Sequence, residues 1–218
     1  MQPEPVTDPD LDPKTGSEIA RELRALHERS THYWQSFSTA EFLAPLGDRG
    51  EAWSPADNVR HLTKSIRPLA KALRLPWPIL RLRYGRPAAP SRSYSEMRDV
   101  YRGALADGLQ AGRFAPAFAP PPANPDAYRA QLMARREQVA SALDLAIARW
   151  SEPALDRCRL PHPALGRITV REMLFHPLPQ SPSRRGRGPP HRRAVFRSRL
   201  SSPGDSAWHR CEVESLLP

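Results

Sequence analysis

The chain has 218 residues, which is enough for one domain with flanking tails. Hydrophobic residues make up 39%, and no apolar run approaches the ~18 residues that a membrane helix needs, so we expect no membrane partner. The net charge of +10 would suggest a nucleic-acid partner, but half of the excess lies in residues 176–218, which hold eight arginines and three acids. Two cysteines do not make a disulfide framework, and the acidic, Pro-rich start does not resemble a signal peptide, so we expect a cytoplasmic protein.

The first half of the chain predicts two amphipathic helices after a short tail. Residues 1–14 are rich in proline and acids, a composition typical of disorder. Apolar residues at helical spacing then predict a helix over 17–37, which Thr15 or Ser17 can cap. A second helix is predicted over 55–74, because Ser54 and Pro55 are a typical N-cap and first helical residue.

Two further helices and a truncated one complete the prediction. Helices are expected over 95–110 and 125–150, and no segment has the pattern of a sheet. Thr169 and Glu172 form a capping box that opens another helix, which Pro177 soon ends. The sequence therefore predicts an all-α, up-down four-helix bundle over 15–175, with its last helix truncated near residue 175 and a disordered, basic tail over 176–218.

Three segments of this bundle resemble one known superfamily. They are WSPADNVRHLTKS at 53–65, SEMRDVYRGAL at 95–105 and LPHPALGRITVREML at 160–174. Together they resemble the DinB/YfiT-like superfamily of metal-binding four-helix bundles. The resemblance implies a divalent metal, zinc or nickel, held by one histidine on the second helix and by two histidines four residues apart on the last helix. It also implies a thiol-dependent transfer or an isomerisation of a small-molecule substrate.

His61 is the residue that matches the first metal ligand of the family. The other two ligands have no match, because HPLPQSPSRRGRGPPH at 176–191 stands where the family has its His-x-x-x-His helix. His176 is adjacent, but Pro177 follows it and no histidine lies four residues later. We therefore expect an incomplete site that does not hold metal tightly, and enzymatic activity is left open. His162, in a Pro-His-Pro sequence, is expected in a loop.

The tail has two competing interpretations. As a genuine segment, its arginines would bind nucleic-acid phosphates weakly and without specificity, which makes a non-enzymatic helical interaction protein the alternative function. As an out-of-frame segment, residues 176–188 can be written in codons that read TLYHNRHHAEAV one base later, a helical pattern with histidines at i and i+4. The second interpretation explains why the family pattern stops after Phe175. A homodimer is compatible with either one.

Overall fold

The computed structural model describes residues 11–45, 53–117 and 122–178, and this part of the chain is mostly helical. The elements are α1 (Gly16–Gln35), α2 (Thr39–Leu43), α3 (Pro55–Ala72), α4 (Trp77–Tyr84), α5 (Tyr94–Ala106), a 3₁₀ turn (Gly112–Phe114), α6 (Pro125–Ile147), α7 (Glu152–Arg157), β1 (Arg159–His162), β2 (Gly166–Thr169) and α8 (Val170–Phe175). The all-α class is thus confirmed. Most of the two predicted tails lies outside the described residues. None of the described helices is long and apolar enough to cross a bilayer.

The long helices begin where side chains satisfy their first backbone N–H groups. Thr15 and Ser54 each accept a hydrogen bond from the residue three positions later, whose carboxylate bonds back to the cap backbone. At α6 the Asn124 side chain accepts a hydrogen bond from the backbone N–H of Ala127, and Pro125 is the first helical residue. These caps confirm the predicted starts of the first, second and fourth helices to within one residue.

The core forms between α6 and the helices that pack on it. α3 and α1 both pack along α6, and α8 packs against α5, α7 and α1. The largest fully buried side chains come from several different elements, among them Ile19, Leu80, Leu155 and Leu174. Burial of a leucine or isoleucine stabilises the fold by about 1.5–3 kcal/mol, so these contacts hold the short α8 against the longer helices.

The expectation of no sheet is wrong, because β1 and β2 pair as an antiparallel hairpin. Leu160 pairs with Ile168, and His162 pairs with Gly166, whose φ of +70° suits glycine at the turn. Side chains alternate along β1, so Leu160 and His162 face the protein interior while Pro161 faces outward. His162 is therefore a buried strand residue and not the loop residue that the sequence predicted.

A second difference concerns the Pro- and Arg-rich segment 76–93, for which the sequence predicts no helix because Pro76 and Pro78 indicate a break. α4 occupies the first half of this segment, with Pro76 at its N-cap and Pro78 in its first turn. Proline is well tolerated there, because the first N–H groups of a helix have no intrahelical partner. The prolines that indicated a break therefore mark the start of a helix.

Candidate functional site

A cavity of about 620 Å³ opens between α3, α5 and the β1–β2 hairpin. Its walls are largely apolar and include Leu69, Leu105, Phe114, Leu160 and Met173. Three histidines from different elements line the same cavity: His61 from α3, His162 from β1 and His176 from the residue after α8. A concave, mainly apolar site with a few polar groups is typical of a small-molecule site.

His61 is held with one ring nitrogen directed at the backbone. Its Nδ1 lies 2.9 Å from the carbonyl oxygen of Phe114. Because a carbonyl only accepts, Nδ1 carries the proton and the lone pair of the neutral ring is on Nε2. The indole of Trp53 packs against the ring, with centroids 5.1 Å apart. Burial lowers the pKa of His61; the Phe114 carbonyl opposes this shift, and the charge of Lys64 adds to it.

His162 carries its proton on the other ring nitrogen, Nε2. The backbone N–H groups of Ala164 and Leu165 both donate to its Nδ1, at 3.2 and 3.1 Å. The neutral ring therefore carries its proton on Nε2, where it is a hydrogen-bond donor. Burial lowers the pKa of His162 to about 4, so the ring is neutral near pH 7.

His176 packs between His162 and the phenol ring of Tyr101. The ring centroids are 4.8 Å apart for the two histidines and 4.9 Å apart for His176 and Tyr101. The Nδ1 atom of His176 is buried and has no hydrogen-bond partner among the described residues. Burial, with further contributions from His162 and His61, lowers the pKa of His176 to about 3. Burial also raises the pKa of the Tyr101 hydroxyl, which stays protonated.

The imidazoles of His61 and His162 can do different chemistry. The Nε2 lone pair of neutral His61 can bind a cation or accept a proton, and the backbone bond at Nδ1 fixes the ring as it does in many metal-binding histidines. The Nε2–H of His162 can only donate a hydrogen bond unless its two backbone bonds are broken. Within the described residues, no three His, Cys, Asp or Glu side chains lie close enough together to hold a metal ion.

The sequence identified only part of this site. His61 lies at the cavity, and His176 was noted as adjacent to the missing ligands. The role of His162 could not be predicted because it depends on the hairpin, and the sequence indicates no particular role for Tyr101. His27, on α1, does not line the cavity, and its Nε2 atom lies 2.6 Å from a carboxylate oxygen of Glu137.

Comparisons with known proteins do not add to this geometry. No protein-family model, no curated protein and no solved structure matches the chain. The chemistry of the site therefore has to be argued from its own residues.

Proposed function

We propose that this chain is a DinB-like helical-bundle protein whose cavity binds a small, largely apolar molecule beside His61. The residue patterns that carry the resemblance coincide with the elements that build the cavity. The Ser54 cap starts the helix that bears His61, and the Thr169 cap starts the short helix that precedes His176. α1, α3, α5 and α6 would be the bundle helices that remain, with α8 as the first turns of a truncated last helix.

The observation that carries the proposal is the convergence of His61, His162 and His176 on one apolar cavity. All three rings have lowered pKa values, so the cavity holds neutral imidazoles at physiological pH. Neutral rings between apolar walls favour a ligand that is mainly apolar and has one group to accept the proton of His162. His61 would offer its Nε2 lone pair to the same ligand.

A complete metal centre is not part of the proposed function. The family pattern needs two histidines on one face of the last helix, but α8 ends at Phe175 and the next histidine is followed by Pro177. His162 cannot replace a missing ligand in its present tautomer, because the proton is on the nitrogen opposite its backbone bonds. His61 would therefore hold zinc or nickel weakly, and we derive no reaction step through a metal.

The test is the binding of an uncharged, environment-sensitive dye, Nile red, to two matched variants. Ser65 lines the cavity one helical turn after His61, so Ser65→Phe should fill part of it and weaken binding at least about tenfold, or 1.4 kcal/mol. Ser141→Phe adds the same side chain at an exposed position of α6 and should leave the affinity unchanged.

The two variants also define the opposing result. If the dye shows no saturable binding, or if both variants lose affinity equally, the cavity is not a ligand site. Circular dichroism of each variant checks that the helices are intact, so that a loss of binding reports on the cavity.

A further inference from the structure

A second concave surface, which we call the α3 groove, is lined by basic side chains from three elements. Arg60, Lys64, Arg67 and Lys71 come from α3, Arg135 comes from α6, and Arg113 comes from the 3₁₀ turn. The groove has a volume of about 790 Å³, and none of the described residues that line it is acidic. It adjoins the His61 cavity and shares Arg113 and Phe114 with it. Its wall is also largely apolar, but it differs from the cavity in the number of basic side chains that line it.

The basic residues of α3 form one continuous row. Their spacing of four, three and four residues places them on one face of the helix. At 1.5 Å per residue, the row from Arg60 to Lys71 extends about 16 Å. Leu132 of α6 and Leu75 form apolar parts of the same surface. The row is thus the wall of a groove and not an isolated helix face.

Most of these charges are not neutralised within the described part of the chain. Arg60 pairs with Asp57 at 3.1 Å, and Lys64 donates to the carbonyl oxygen of Ala115 at 3.3 Å. Arg67, Lys71 and Arg135 are exposed and form no ion pair with a described residue.

A concave surface with charges of one sign concentrates its field and attracts counterions. The basic row on α3 could also be an ordinary solvent-exposed helix face. An exposed face of α3 does not account for Arg135 and Arg113, which come from two other elements and line the same groove.

We propose that the α3 groove binds a small molecule that carries two or more phosphate groups. The guanidinium groups of Arg67 and Arg135 can each make paired hydrogen bonds to phosphate oxygens, while Lys64 and Lys71 add compact charges between them. Cations spaced about 5–6 Å along a helix match several linked anions better than a single one. The volume is in the range of small-molecule sites, which favours a compact polyphosphate over a long nucleic-acid strand.

The test is calorimetric titration of the full chain with inorganic tripolyphosphate at low and physiological salt. The double variant R67Q/K71Q should weaken binding at least about tenfold, a loss of 1.4 kcal/mol. The double variant R149Q/R157Q removes the same charge from exposed arginines outside the groove, so its affinity should change less than about twofold. Both variants keep the basic tail, so any contribution of the tail to the affinity is common to them.

Three outcomes would overturn the proposal. Equal weakening in both double variants would mean that tripolyphosphate responds only to the net charge. Citrate binding as tightly as tripolyphosphate would remove the preference for phosphate. If a single-stranded oligonucleotide binds through Arg67 and Lys71 while tripolyphosphate does not bind, the groove is a nucleic-acid surface instead.

Discussion

Mild acid should destabilise this protein through the two histidines that are most strongly perturbed. The pKa of His162 is about 4 and that of His176 about 3 in the folded chain, against an ordinary value of 6.5. The unfolded chain therefore takes up protons first as the pH falls. The stability due to the neutral rings is complete above pH ~6.5 and is lost progressively as the pH falls towards the folded pKa values.

The magnitude follows from these pKa values. Between pH 7.0 and 5.5, each histidine should reduce the free energy of unfolding by about 1.2 kcal/mol, and the pair by about 2.5 kcal/mol. That is a large part of the ~5–15 kcal/mol of a typical domain. His61, whose pKa is also lowered, contributes in the same direction. Carboxylates with lowered pKa values, such as Glu172, lose their contribution only at more acidic pH, so this window isolates the histidines.

Urea titrations at pH 7.0 and 5.5 measure the effect. His162→Gln and His176→Gln should each remove about 1.2 kcal/mol of the pH dependence, because glutamine cannot take up a proton in this range. The reasoning is refuted if the free energy of unfolding of the wild-type chain changes by less than about 0.5 kcal/mol between the two pH values. It is equally refuted if the double variant keeps the full slope.

Three further predictions concern the metal, the ionic network and the tail. Zinc titration of the chain should show no tight, stoichiometric site, and His61→Ala should remove only weak binding; tight binding that the variant abolishes would contradict the incomplete site. Arg171→Met should lower the free energy of unfolding by about 1.5–3 kcal/mol, because it removes the charged hydrogen bonds to the half-exposed carboxylates of Asp156 and Glu152; a thermal melt that matches the wild type would show that the network is dispensable. A version of the chain with its codons shifted by one base after Phe175 should be more helical by circular dichroism and should bind one divalent metal per chain. If this version fails to fold, residues 176–218 are a genuine segment of the protein.

The helices that the sequence predicted are those with local start signals. Thr15, Ser54 and Asn124 bind backbone N–H groups within their own segment, so their effect can be read without any tertiary information. α4 lacked such a signal, because Pro76 makes no side-chain cap. Its apolar residues also do not all face the core, since Leu82 is 90% exposed. Its position depends on packing that the local sequence does not encode.

The hairpin was missed for a related reason. β1 and β2 have four residues each, which is too short for a clear period of two, and Pro161 argued against a strand. Within the described residues, β1 pairs with β2 alone, and Pro161 faces outward between two buried residues. An edge position tolerates a proline because its missing N–H is not needed there.

The candidate site divides in the same way between local and tertiary information. His61 could be identified because the local sequence at 53–65 resembles a known metal-ligand helix. His162 and Tyr101 meet at the cavity only after the hairpin has folded back against α5. Residues 60–71 could be recognised as a basic helix face, but the groove needs Arg135 and Arg113 from elsewhere in the chain.

The geometry around His176 depends on how so short a helix is held in place. α8 has six residues, far fewer than the ~12–15 that an isolated helix needs in water. Buried charges fix it: the Glu172 carboxylate accepts hydrogen bonds from the backbone N–H and Nε of Arg92, and Arg171 bonds both Asp156 and Glu152. Because breaking a buried pair leaves an uncompensated charge, these contacts resist displacement of α8. The network therefore fixes the position of α8, and with it the position from which His176 reaches the cavity.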